Sequence, residues 1–152
     1  MIIRRTILEN VCQHRYLEHE WAPGLNGIIG PNGSGKSNIL KMIKGALTGK
    51  FSENPGKQDE NISLFAAPGD RSCILVEFEH NGRKAALTWG FRRVTSNLIV
   101  DGVERARGND NVSTAMAALL GVDSQVVAEY VFVQQGCLAA FIDETKTERA
   151  RM

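Results

Sequence analysis

Apolar and polar residues repeat along this chain with two different periods, and the changes of period mark out its elements. Ile2 to Glu9 alternates imperfectly, with Ile3, Arg5, Ile7 and Glu9 set against Arg4, Thr6 and Leu8, which predicts an opening strand. Asn10 to His19 is polar and reads as a loop, His19 to Ala22 as a second short strand, and Pro23-Gly24 as a turn. Leu25 to Ile29 is short and mostly apolar, the pattern of a buried strand. Beyond it the period becomes helical. Ile39, Leu40, Ile43, Ala46 and Leu47 fall at the spacing of one helix face, with Gly49 as the stop signal.

Phe51 to Asp70 is rich in Gly, Pro, Asn, Ser, Asp and Glu and holds the turn dipeptides Pro55-Gly56 and Pro68-Gly69. It reads as a long loop with a short turn near Ile62, Leu64 and Phe65, and loops of that length are often functional. Ser72 to His80 returns to a two-residue period, and Asn81-Gly82 is a strong hairpin signal leading into a return strand from Lys84 to Trp89. Asn97 to Val100 with Asp101-Gly102 predicts a second hairpin, so the middle of the chain is an antiparallel meander. Asn111 to Leu120 is helical, closed by Gly121, and Asp123 or Ser124 caps a further short helix. Tyr130 to Val133 is a compact apolar run of the kind found in buried strands, followed at once by Gln134-Gln135-Gly136. The charged tail from Asp143 to Met152 lacks Pro and Gly and has the makings of a helix.

The chemistry sits where the predicted strand meets the predicted helix. Gly30-Pro31-Asn32-Gly33-Ser34-Gly35-Lys36-Ser37 fits the phosphate-loop pattern G-x-x-x-x-G-K-[ST] without a gap. Each residue type has a physical task. Glycines allow positive φ and gather several N–H groups into a small nest for phosphate oxygens. The following helix adds the favourable dipole of its N-terminus. Lys36 is placed to reach the outer phosphates of a nucleotide and Ser37 to help hold Mg²⁺. The candidate nucleotide-binding residues are therefore Asn32, Gly33, Ser34, Gly35, Lys36, Ser37 and Asn38.

Composition narrows the classes only modestly. The chain has 152 residues, enough for one domain with its own core, and its formal net charge of +1 gives no global electrostatic case for nucleic acid. A local basic face remains possible through Lys41, Lys44, Lys50, Arg92 and Arg93. Cys12, Cys73 and Cys137 form no C-x-x-C pair, so neither a zinc site nor a disulfide framework is predicted, and reduced thiols fit a cytoplasmic setting. Met1 to Arg5 lacks the apolar region of a signal peptide, and no apolar run approaches the ~20 residues needed to span a bilayer.

The order of these motifs resembles the N-terminal half of an SMC-like, ABC-class ATPase head, with the SbcC-type repair ATPase, partner of the double-strand-break nuclease, as the best fit and RecF, RecN and the SMC proteins as relatives. The resemblance rests on the opening strand ending in Asn10 to His14, the loop with Asn32-Gly33, the meander, the helix ending Leu119-Leu120-Gly121, and Val131-Phe132-Val133-Gln134-Gln135-Gly136. Thr145 to Arg149 resembles the start of the helix that leads to the family's coiled coil. The resemblance implies an α/β P-loop NTPase lobe spanning 1–152, cut near the start of that coiled coil. Its mixed sheet carries an antiparallel meander packed near the P-loop helix. It also implies that Gln135, as the Q-loop glutamine, touches Mg²⁺ and the attacking water and joins Lys36 as a catalytic residue. The implied partners are a C-terminal ATPase lobe, a second head in a homodimer, a nuclease subunit and DNA. An arginine often found in the family after the first strand is replaced here by Cys12 and Gln13, with Arg15 further on.

Two parts of a complete site are missing from the sequence. Phosphoryl transfer needs one carboxylate for Mg²⁺ and another to polarise the nucleophile. Asp101 and Glu77 end apolar runs, but Asp101-Gly102 reads as a turn and Glu77 as a solvent-facing strand residue. The family's Ser-Gly-Gly signature run is absent. The chain therefore reads as half of a composite ATPase site, inactive or nearly so alone. A transporter-type nucleotide domain and a small P-loop metabolite kinase are the alternative readings. For DNA, Lys41, Lys44, Arg92, Arg93, Arg105 and Arg107 are the candidate phosphate contacts.

Overall fold

The computed structural model describes residues 1–51, 58–122, 126, 127, 131 and 132. Six strands form one sheet in the order β2-β1-β3-β4-β5-β6, and every pairing between them is antiparallel. The strands are β1 (Ile2–Val11), β2 (His14–Glu20), β3 (Ser72–His80), β4 (Arg83–Arg92), β5 (Asn97–Val100) and β6 (Val103–Arg107). Two helices, α1 (Lys36–Thr48) and α2 (Asn109–Leu120), share the sheet's hydrophobic core.

The two-residue period decides which face meets the helices. Leu8, Ile74 and Trp89 are successive cross-strand neighbours, as are Thr6, Val76, Leu87 and Leu98. All seven are buried. Met42, Ile43, Ala46 and Leu47 of α1 and Val112 and Met116 of α2 pack onto this face. The opposite face carries Ile7, Leu75, Thr88 and Ala86 among charged residues, and none of these four is fully buried. A bulge in β1 between Ile3 and Arg5 places Arg4 and Arg5 in consecutive ion pairs, Arg4 with Glu79 at 2.9 Å and Arg5 with Glu18 at 2.6 Å. These pairs are substantially exposed and add little stability.

The meander follows the sequence reading closely. Asn81 and Gly82 have φ of 49° and 75°, and Asp101 and Gly102 have 53° and 79°, the left-handed pairs that tight hairpin turns demand. Asp101 therefore closes a turn. Its carboxylate accepts from the Arg83 guanidinium and from the Lys84 N–H, both at 3.0 Å. These bonds, the Arg83 one foremost, hold its carboxyl below the ordinary value of 3.8. A depressed folded-state pKa means that the stabilisation is present above the ordinary value and is lost as pH falls through the folded one. In thermal melts the advantage of wild type over Asp101→Asn will accordingly be greatest above about pH 5 and shrink below about pH 3.5. A difference that does not change with pH would contradict this account.

The structure corrects three expectations. Asn10 to His19 is not a loop: only Cys12 and Gln13 turn, and β2 pairs with β1 from His14 to Glu20. This strand lies at the sheet's edge with five of its seven residues exposed, so no apolar alternation marks it. The expected strand at Leu25–Ile29 does not form. Leu25 and Ile29 are 101% and 97% exposed, and the stretch is tied locally by Asn26, which donates to the carbonyls of Ala22 and Gly24 and accepts from the Ala22 N–H. These bonds close the preceding turn, and no strand among the described residues pairs with the stretch. The expected strand at Tyr130–Val133 is not seen at its two described residues, since neither Val131 nor Phe132 is in a strand and Val131 is exposed. Tyr130, Val133, the cap at Asp123 or Ser124, the Pro55-Gly56 turn and the tail from Asp143 lie outside the described residues.

Candidate functional site

The glycine-rich loop runs straight into α1. Gly33 and Gly35 have φ of 80° and 88°, and Gly35 is the residue that begins the helix. Because the cap is a glycine, no side chain satisfies the first amides of α1. Those N–H groups therefore remain available to an anion at the helix N-terminus, where the dipole favours it. The Asn38 and Ile39 N–H groups turn back to the Gly35 carbonyl at 3.0 and 3.2 Å, which tightens the first turn. Buried Ile39, Met42 and Ile43 anchor the helix on the sheet, so the loop is held against a rigid support.

Lys36 donates its ammonium to the carbonyls of Gly30 and Pro31, at 2.8 and 2.7 Å. The cation thus spans the loop from within. Asn32, Gly33, Ser34 and Ser37 are exposed around it. Gly35 carries a further constraint, because a Cβ there would stand 2.6 Å from His14 Nε2. His14 lies 3.4 Å from the Gly35 carbonyl through the same nitrogen, and Asn38 donates its amide to the Gln13 side chain. The turn between β1 and β2 is therefore docked against the loop by two side chains.

Beside this contact lies an open cleft of about 470 Å³. Cys12, Gln13, Asn38 and Lys41 line one part of it, and residues 60–62, 64 and 65 the rest. Burial raises the Cys12 thiol pKa, while Lys41 works against that rise. On the outer sheet face, burial foremost and the neighbouring Glu9 push the Cys73 thiol up to about 11. Neither cysteine is poised as a thiolate near neutral pH.

The sequence-predicted residues 32–38 thus converge on one site. Gln135 lies outside the described residues. Glu77 faces Arg5 on the outer sheet face, and Asp101 is committed to its turn. Among the described residues no cluster of three or more His, Cys, Asp or Glu is placed to hold a metal, and Ser37 is exposed in the first turn of α1. The candidate DNA contacts are spread over α1, β4 and its following loop, and β6, and Arg92 and Arg107 already bond to Ala67 and Glu104. The docking of His14 and Gln13 is the feature that sequence reasoning missed. The spacing of the Asn10–His14 segment was visible, but not where its turn would land.

The chain as a whole is similar to known proteins. The family profile described as an AAA domain matches residues 7–151. The chain belongs to this family. It is 30% identical over 161 residues to the DNA double-strand break repair Rad50 ATPase of Methanopyrus kandleri, covering 99% of this chain and 18% of that protein. To the protein of the same name from Sulfurisphaera tokodaii it is 32% identical over 143 residues, covering 90% of this chain and 16% of the relative. The chain spans less than a fifth of the length of these relatives. In structure it resembles the recombination mediator RecF with ATP, with a TM-score of 0.54, 17% identity, and coverage of 99% of this chain and 36% of that one. The resemblance to an SMC-like ATPase head is borne out, as is the α/β P-loop architecture with its meander beside the P-loop helix, but the sheet expected to be mixed is antiparallel at every pairing among the described residues. Among the described residues no helix is long and apolar enough to cross a membrane.

Proposed function

We propose that this chain is the ATP-binding lobe of a DNA-repair or chromosome-maintenance ATPase, with residues 1–152 forming a single lobe. The observation that carries the reading is the P-loop itself, in which Lys36 and the uncapped first turn of α1 converge on one exposed point. ATP would lay its outer phosphates on the amides of residues 33–37 and its nucleoside end toward the cleft beside Gln13 and Asn38. Ser37 would contribute to Mg²⁺, which supplies charge neutralisation on the phosphates when bound. Gln135 is assigned the γ-phosphate-sensing role through the resemblance.

Hydrolysis on this reading needs more than the lobe, because among the described residues no cluster of three or more His, Cys, Asp or Glu is placed to hold a metal, and the two acids that end apolar runs, Glu77 and Asp101, are bonded elsewhere. A C-terminal lobe would supply the carboxylates for the metal and the attacking water. The stretch at Leu25–Ile29, with Leu25 and Ile29 exposed and no strand pairing among the described residues, is where its strands would add to the fold, since an apolar segment outside any ladder invites pairing. A second head, a nuclease subunit and DNA complete the proposed assembly, and the Rad50 relatives favour it over transport or metabolite phosphorylation.

Calorimetric titration with magnesium-ATP tests the reading. Wild type should bind weakly with negligible turnover, Lys36→Ala should lose at least about tenfold in affinity, equivalent to ~1.4 kcal/mol, and addition of the C-terminal lobe should restore ATPase activity. Vigorous hydrolysis by the isolated chain, or an affinity indifferent to Lys36, would overturn it.

A further inference from the structure

We propose, building on the reading of residues 30–37 as a nucleoside triphosphate site, that Lys41 is the second cation of that site, meeting the α-phosphate and ribose end of a nucleotide whose outer phosphates lie at Lys36. The turn between β1 and β2 faces the P-loop but brings no charge to it, because its two residues are Cys12 and Gln13. Arg15 does not make good the lack. His14 points at the Gly35 carbonyl, so its strand neighbour Arg15 projects from the other side of β2, where it is exposed.

Lys41 comes to the same place from the helix. It follows Asn38 by three residues and so shares its face of α1, and both line the cleft with Cys12 and Gln13. It lies five residues beyond Lys36, roughly 7.5 Å along the helix axis, so the two ammonium groups serve different parts of an extended ligand. Its charge reaches the turn, where it acts on the Cys12 thiol against the effect of burial. Among the described residues Lys41 makes no ion pair or hydrogen bond, so its ammonium is uncommitted. Glu60 lines the same cleft, so the cleft is not simply an anion trap. A ligand with both phosphate charge and hydroxyl donors, as a nucleotide has, suits this mixed lining better than an inorganic anion does.

The test compares two probes, magnesium-ATP and magnesium tripolyphosphate, on wild type, Lys41→Ala, Lys41→Arg and Lys50→Ala. Lys50 is exposed just beyond α1 and controls for loss of one positive charge. Lys41→Ala should weaken ATP binding about tenfold and tripolyphosphate binding less than about twofold, a selective loss that general charge reduction would not produce. Lys41→Arg should recover most of the ATP affinity, and Lys50→Ala should stay within about twofold of wild type for both probes. Equal ATP affinities for Lys41→Ala and Lys50→Ala would overturn the assignment of Lys41 while leaving the P-loop reading intact. Equal losses for ATP and tripolyphosphate would place Lys41 at the outer phosphates and overturn it as well. Failure of wild type to bind either probe would overturn the nucleotide site itself, and Lys41 with it.

Discussion

Gly90→Ala will destabilise the protein by about 3 kcal/mol, the upper range for overpacking a well-filled interior, and lower its melting temperature by roughly 10 °C. A Cβ at Gly90 would lie 1.8 Å from the Val94 carbonyl oxygen and 2.5 Å from its carbon. Both are backbone atoms, so no side-chain rotation relieves the clash. The chain must therefore move between β4 and β5, and that stretch is tied down. The buried Ser96 hydroxyl accepts from the Gly90 N–H at 3.0 Å and donates to Asn109 Oδ1 at 2.6 Å, in the first turn of α2. Displacing Val94 thus strains the link from the sheet to α2 and leaves buried polar groups short of partners. Circular-dichroism melts measure the effect. A variant melting within about 2 °C of wild type would show that the loop yields more easily than this packing allows.

Gly35→Ala will act on binding more than on folding. At φ of 88° a Cβ costs about 1–2 kcal/mol in the left-handed region. That Cβ would also stand 2.6 Å from His14 Nε2, so the imidazole must swing away and release the turn from the P-loop. Magnesium-ATP affinity should fall at least about tenfold, while the melting temperature falls only by the roughly 3–6 °C that the backbone strain accounts for, because the core face of α1 is untouched. Gly33→Ala supplies the comparison. Its φ is 80° but nothing lies within 4 Å of the added carbon, so it bears the conformational cost without the collision and should lose less affinity. Equal losses in the two variants would remove His14 from the account.

Much of the fold was legible because local chemistry and tertiary structure agree. The two Xaa-Gly turns demand left-handed φ at Asn81, Gly82, Asp101 and Gly102, and the hairpins form there. Helix α1 carries its apolar face at a helical period and ends at Gly49, whose N–H returns to the Gly45 carbonyl at 2.8 Å. What was not legible depended on neighbours. Edge strand β2 has too few buried positions to show a period, and its turn uses Cys12 at φ 52° where a glycine or asparagine would have announced it. Leu25 to Ile29 has the composition of a strand, but a strand needs a partner for its amides, no strand among the described residues pairs with it, and Asn26 ties its start to Ala22 and Gly24 in the preceding turn.

By itself, the order of residues determined the phosphate loop, the helix it opens and the meander, because each depends on interactions within a few positions of the chain. Only the tertiary structure decided what faces the loop. His14 docks on it from a strand, Gln13 meets the first turn of its helix, Lys41 lines the neighbouring cleft, and the collision that reserves position 90 for glycine is made with a residue on the returning loop. Distances between separate elements follow from how the sheet twists and the helices pack, and no local pattern encodes them.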